Sequence, residues 1–67
     1  MKIKIYMKRN DNKFPKKPMF VVEFENEEKC RDVFLTLQKD ILVSNKAFIA
    51  CGPVFFEAAK FAYATMG

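Results

Sequence analysis

Apolar and polar residues alternate strictly at the start of the chain, and this period of two is typical of a half-buried β-strand. The apolar side of the first segment consists of Ile3, Ile5 and Met7. The lysines of residues 2–8 lie on the opposite side together with Tyr6. The alternation resumes in residues 19–24, MFVVEF, and the turn-forming residues between the two segments predict an antiparallel β-hairpin with a long connection. In this hairpin, outer-face lysines of the first strand are expected opposite Glu23 of the second.

The period changes in residues 26–42, where apolar residues recur at the spacing of one helical face. The apolar stripe consists of Cys30, Val33, Phe34, Leu37 and Ile41. Asn26 is a favourable N-cap, and two glutamates follow it in the first turn, where the helix dipole favours negative charge. Glu27 and Arg31 stand four residues apart, in the order that favours an ion pair. The segment therefore predicts one amphipathic helix.

The remaining third of the chain contains a clear strand and an ambiguous tail. Residues 47–51, AFIAC, predict a third strand, and a Gly-Pro pair then marks a turn. The alanines and charged residues of the tail, residues 54–66, favour a helix, but a helix would leave Val54 and Phe61 away from its apolar face. Two short strands, VFF and FAYATM, joined by a turn through EAAK, are the preferred interpretation because aromatic residues favour strands.

These elements predict a single α+β domain over residues 1–67, with a small antiparallel sheet and the helix packed on one of its faces. One helix covers only one face of a sheet, so Tyr6, Val21 and part of the aromatic tail are expected on the other face. A chain of this length buries only about 60% of its unfolded surface. Such small domains usually require disulfides, a metal or a partner for stability.

Composition argues against the first two of these supports. Cys30 and Cys51 follow no recognisable secretory signal and are expected to be buried, reduced thiols in a cytoplasmic protein. The chain has no histidine, and two cysteines do not complete a zinc site, so neither a metal nor a cofactor is expected. No segment approaches the roughly 20 apolar residues of a membrane span. Eight Phe and two Tyr instead predict an aromatic face that binds a partner or a second copy of the chain, which makes a homodimer plausible.

Positive charge is concentrated in the first hairpin. Residues 1–22 hold seven basic residues against one acidic residue, whereas the remainder holds five basic and seven acidic residues. The connection KRNDNKFPKKP, residues 8–18, accounts for most of this excess. The candidate partner-binding residues are therefore Tyr6, Lys8, Arg9, Lys13, Phe14, Lys16 and Lys17. Phe14 either folds back into the core or stands exposed as an anchor on a proline-stiffened loop.

Catalysis is not expected from this sequence. Histidine, the usual general acid–base group at neutral pH, is absent, and there is no glycine-rich phosphate loop. Ser44 and the two cysteines have no evident base beside them in the sequence. The basic hairpin admits three interpretations: a solubilising face of solvated lysines, a surface that docks on an acidic protein, or a contact for nucleic acid.

The order of a hairpin, a helix after EFENEE, the strand FIACG, VFF and then KFAYA resembles that of very small uncharacterised proteins of bacteriophages and other mobile elements. In those proteins a glycine-containing turn after the third strand precedes strands that end in aromatic-rich segments. The resemblance covers most of the chain and implies a ββαβ-type fold with an accessory or inhibitory role. It assigns no functional residues.

The sequence thus predicts a small, non-catalytic binding protein, for which a phage-encoded inhibitor or accessory subunit is a fitting role. It would occupy an acidic surface of a larger host protein, with electrostatic steering by the basic hairpin followed by burial of aromatic side chains. A nucleic-acid-binding module that uses the same lysines is the first alternative. A structural homo-oligomer is the second.

Overall fold

The computed structural model of the protein describes residues 1–9, 13, 15–43 and 45–67. Within these ranges the elements in chain order are β1 (Lys2–Met7), β2 (Phe20–Glu23), α1 (Glu27–Leu42), β3 (Phe48–Cys51), β4 (Val54–Glu57) and β5 (Phe61–Met66). A 3₁₀ turn over Ala58–Lys60 joins β4 to β5. The predicted α+β class is confirmed, and the tail forms two strands as the preferred interpretation expected.

The alternation of β1 is confirmed by burial and by register. Its apolar side chains are all buried, namely Ile3, Ile5 and Met7. β1 and β2 pair antiparallel, with Lys2 opposite Glu23 and Lys4 opposite Val21 on the outer face. The hairpin therefore directs its lysines and Tyr6 away from the core, as the period of two requires.

The five strands divide between two antiparallel sheets, whereas the sequence was interpreted as forming one. β1 is the central strand of a three-stranded sheet with the order β2-β1-β5, and β3 pairs only with β4. The division arises because the 3₁₀ turn redirects the chain after β4. The backbone N–H of Lys8 then donates to the carbonyl of Lys60 at 2.7 Å, which fixes the start of β5 beside the end of β1.

The helix begins and packs as its sequence predicts. The Asn26 side chain accepts a hydrogen bond from the backbone N–H of Lys29 at 2.7 Å, and the guanidinium of Arg31 pairs with Glu27 at 2.9 Å. Cys30 and Leu37 are fully buried. The other three residues of the stripe pack more loosely against the core: Val33, Phe34 and Ile41. The amphipathic pattern thus turns one face of α1 toward the sheets.

The core lies between α1 and the inner faces of both sheets. The small sheet contributes Ile49 and Cys51 of β3 and Phe56 of β4 to this core. The Phe56 ring also lies beside two rings of the larger sheet, with centroid distances of 6.4 Å to Phe20 and 5.7 Å to Phe61. Aromatic contacts from one residue therefore hold the small sheet against both edge strands of the larger one.

Candidate functional site

A basic groove lies where β1 ends and β2 begins. It has a volume of about 680 Å³. Its lining consists of Met7, Lys8, Arg9, Pro15, Lys16, Lys17, Pro18 and Met19. The structure thus brings together four of the seven predicted site residues around an apolar floor. None of the described residues that line this groove is acidic, and four of them are cations.

A second groove of about 480 Å³ continues from the first. The residues common to both are Met7, Lys8, Arg9 and Met19. The second groove extends toward the small sheet, where it is lined by Phe20, Phe55, Phe56, Glu57, Ala59 and Lys60. The two grooves form one continuous surface, here called the basic cleft.

Backbone hydrogen bonds fix the rim of the basic cleft. The N–H of Lys8 donates to the carbonyl of Lys60, and the N–H of Met19 donates to the carbonyl of Ile5 at 2.8 Å. These bonds tie the ends of β1, β2 and β5 to one another. The backbone that carries Lys8 and Lys60 is therefore fixed, and the two side chains start from adjacent points of the sheet.

Exposed aromatic surface adjoins the basic cleft on the small sheet. Phe55 of β4 leaves 66% of its side chain exposed and lies parallel to Phe48 of β3, with ring centroids 5.3 Å apart and an interplanar angle of 6°. Both residues are on the outer face of the sheet, whereas Phe56 faces the core. Met19, which lines both grooves, adds further exposed apolar surface.

Of the remaining predicted site residues, Tyr6 and Lys13 are not among those that line the cleft. Tyr6 lies on the outer face of the larger sheet, where its ring stacks on Tyr63 with centroids 4.3 Å apart and planes 12° apart. Each of these rings therefore covers one face of the other. Lys13 is exposed but is not part of the groove lining. Phe14 lies outside the described residues, so neither interpretation of its position is tested.

Phe55, Met19 and Lys60 also line the cleft, although the sequence did not predict them as site residues. For Phe55 a signal was present in the strand interpretation of the tail. In the segment Val54–Glu57, a period of two places Phe55 on the same face as Glu57, which is the solvent face. Lys60 gave no such signal, because its place beside Lys8 follows from a strand pairing that spans nearly the whole chain.

The described residues include carboxylates and two thiols as candidate reactive groups. They contain no group of three or more His, Cys, Asp or Glu side chains that could hold a metal ion. Cys30 and Cys51 are both free and buried. Burial, with a smaller contribution from the neighbouring Cys30, raises the pKa of the Cys51 thiol above its ordinary value of 9.0. That thiol is therefore protonated at neutral pH and is a weak nucleophile.

A scan against protein-family models, a search of curated proteins and a search of solved structures each found no match to the chain. Among the described residues, no helix has the length and apolar character needed to cross a membrane. The geometry of the basic cleft is accordingly the basis for the function proposed below.

Proposed function

We propose that the protein is a non-catalytic binding module whose basic cleft receives an acidic segment on the surface of a larger protein. The observation that carries this proposal is the junction of five cations, namely Lys8, Arg9, Lys16, Lys17 and Lys60, with exposed apolar side chains in one continuous cleft. A small inhibitor or accessory subunit that acts in the host cytoplasm by covering a surface of its target fits such a module. An accessory or inhibitory role is also what the resemblance to small phage proteins implies.

Charge supports an acidic partner. Lys8, Arg9, Lys16 and Lys17 converge on the first groove, and the chain as a whole carries a net charge of +4. A surface on which one sign of charge predominates attracts the opposite sign over about 10 Å at ordinary ionic strength and accelerates encounter. Most acidic residues of this protein lie beyond residue 22, and of these Glu57 is the one that lines the described part of the basic cleft.

Apolar surface supports a protein rather than a simple polyanion as the ligand. Phe55 and Met19 flank the cleft and are each about two-thirds exposed. Phe55 is held in place by its stack on Phe48, so an approaching ligand meets a positioned ring. Aromatic residues that become buried at the centre of an interface typically dominate its affinity.

Single-stranded nucleic acid is the second candidate, favoured by the proximity of Phe55 to Lys8, Arg9 and Lys60. An exposed ring beside cations is the arrangement on which bases stack while phosphates are neutralised. Tyr6 and Tyr63 are not among the residues that line the cleft, so the large exposed apolar side chains that its described lining offers are one aromatic ring, Phe55, and the aliphatic Met19, on which bases do not stack. The protein interpretation therefore ranks first.

Capture from nuclease-treated extract of the cell that carries the gene tests the proposal. The bait proteins are the wild type, a cleft variant with Lys16→Ala and Lys17→Ala, and the anchor variant Phe55→Ala. The matched control carries Lys29→Ala and Lys39→Ala, which remove the same charge from exposed positions of α1. Leu35→Ala on α1 controls for loss of an exposed apolar side chain.

The expected result is a protein recovered by the wild type and by both controls, with recovery reduced about tenfold or more for the cleft and anchor variants. Nuclease treatment should not affect this recovery. Equal recovery by all baits would contradict the assignment of the cleft. Recovery that disappears with nuclease, together with retention of a labelled single-stranded oligonucleotide by the wild type, would replace the protein partner with nucleic acid.

A further inference from the structure

β5 forms one edge of the three-stranded sheet, so half of its backbone groups face away from β1, on a side where the described residues place no further strand. Lys2 and Gly67 exchange two backbone hydrogen bonds, at 2.9 and 3.0 Å. Bonded positions recur every second residue in an antiparallel pair, so Thr65 also directs its backbone groups toward β1. The N–H and C=O groups of Ala64 and Met66 consequently point outward from the sheet.

This edge lacks the features that usually prevent strands from pairing with other chains. Natural edge strands are short, charged, interrupted by proline or twisted by a bulge. β2, at the opposite edge, has four residues and includes Glu23. β5 has six residues, FAYATM, without a charge or a proline. The register of β5 against β1 shifts near the start of β5, between the partners of Tyr6 and Met7. Over residues 63–66 the pairing with β1 is regular.

An apolar groove of about 290 Å³ follows the same edge. It is lined by Gln38, Ile41 and Leu42 from α1 and by Phe61, Ala62, Tyr63 and Ala64 from β5. Side chains from both faces of β5 take part, which places the groove along the strand edge rather than over one face. Leu42 leaves 82% of its side chain exposed. None of the lining residues is charged.

We infer that β5 of a second copy of the chain occupies this edge, paired antiparallel about a two-fold axis at Thr65. In this register Ala64 lies opposite Met66 of the second copy, and the reverse pair is equivalent. The two pairs exchange about four backbone hydrogen bonds through the outward groups of Ala64 and Met66. The interface is isologous, as closed dimers require.

Side chains on both faces suit this register. On the inner face, each small Ala64 meets the long Met66 of the second copy, which enters the groove beside Leu42. On the outer face, the exposed Thr65 lies opposite its own equivalent, and cross-strand threonine pairs are favourable. The surface of β5 in one copy is therefore complementary to the surface of β5 in the second copy.

Charge favours a second copy over an acidic partner at this edge. Each chain carries a net charge of +4, which opposes self-association wherever cations face each other. The groove and the strand are uncharged, so two copies meet here without opposed cations. An acidic partner is drawn instead to the basic cleft, which the dimer leaves open on each copy.

Sedimentation of the wild-type protein and oxidative trapping test this dimer together. At about 0.5 mM, where even weak pairing is populated, the expected mass is twice the 7.8 kDa of one chain. Thr65→Cys, at an exposed position, should form an intermolecular disulfide when oxidised glutathione accepts the electrons. The matched control is Val21→Cys, at an exposed position of β2 on the opposite edge of the sheet. This variant should form an intermolecular disulfide at least about tenfold more slowly.

Hydrogen exchange on the unmodified chain provides a readout that needs no variant. The amides of Ala64 and Met66 should exchange more slowly as the protein concentration rises, whereas those of Val21 and Glu23 at the other edge should not change. A monomeric mass at about 0.5 mM would overturn the inference, as would equal trapping of the two cysteine variants. Binding of a strand from a different protein by a monomeric chain would also overturn it.

Discussion

At the scale of single residues, Gly52 is the clearest constraint on the backbone. It lies in the turn between β3 and β4 with φ at +59°, and a Cβ at this position would stand 3.1 Å from Cγ1 of the buried Val22. We expect Gly52→Ala to lower the free energy of unfolding by about 1–2 kcal/mol, because the left-handed conformation and the close contact both oppose a side chain. Urea denaturation followed by circular dichroism measures this change.

Gly67→Ala is the matched control for Gly52→Ala. A Cβ at Gly67 meets nothing within 4 Å. The control should therefore shift the free energy of unfolding by less than about 0.5 kcal/mol. Equal effects of the two substitutions would show that the turn does not require glycine at residue 52.

The thiols give a second prediction at the residue scale. Cys30 and Cys51 are fully buried, and the pKa of Cys51 is raised by desolvation. We expect no reaction with Ellman's reagent at pH 8 in native buffer and two reactive thiols per chain in concentrated urea, since the thiolate is the reacting species. Prompt reaction of either thiol in native buffer would contradict this burial.

The raised pKa of Cys51 also makes stability depend on pH in the alkaline range. The folded state holds the Cys51 proton more tightly than the unfolded state does, so the stabilisation is complete below pH 9. It decreases as the pH rises from 9.0 through the higher pKa of the folded state. The fall in unfolding free energy between pH 8 and pH 10 should therefore be smaller in Cys51→Ala than in the wild type.

At the scale of secondary-structure elements, two leucines on α1 test whether the amphipathic pattern stabilises the fold. Leu37 is 1% exposed and Leu35 is 56% exposed, although only one residue separates them. Leu37→Ala should lower the free energy of unfolding by about 2–5 kcal/mol, because it leaves a cavity in the core. Leu35→Ala should change it by less than about 0.5 kcal/mol. Similar losses for both leucines, measured by urea denaturation, would contradict the packing of this face.

The elements differed in how far the sequence could define them. β1, β2 and α1 followed from periodicity because one face of each is buried and the other is solvated. The tail remained ambiguous because Glu57, Lys60 and its alanines favour a helix while its aromatic residues favour strands. Packing of Phe56 between two rings of the larger sheet resolves it, and such tertiary contacts are not visible in local propensity.

At the scale of the whole molecule, the sequence located the positive charge but not the surface it forms. The excess of lysine in the first hairpin was evident from composition. The convergence of Lys8 and Lys60 beside Phe55 depends on pairing between the two ends of the chain. The division into two sheets depends on the same pairing, since β5 joins β1 instead of β4. Local sequence patterns do not specify contacts between residues so far apart along the chain.

The basic cleft predicts different kinetic effects for charge and for apolar contact. Cations that steer encounter act mainly on the association rate, whereas a buried aromatic anchor acts mainly on the dissociation rate. Lys16→Ala with Lys17→Ala should therefore slow association several-fold, and more so at low salt. Phe55→Ala should accelerate dissociation about tenfold or more, which corresponds to at least about 1.4 kcal/mol.

Binding kinetics with the captured acidic protein are the most direct test that the cleft is the binding surface. Biolayer interferometry on one immobilised partner measures both the association and the dissociation rate. The proteins compared are the wild type, the cleft variant with Lys16→Ala and Lys17→Ala, the anchor variant Phe55→Ala and the α1 control with Lys29→Ala and Lys39→Ala. The predicted result is slower association for the lysine variant, faster dissociation for Phe55→Ala and wild-type rates for the control. Two results together would contradict the assignment of the cleft as the binding surface. Phe55→Ala would dissociate at the wild-type rate, and the cleft and α1 lysine variants would slow association to the same extent.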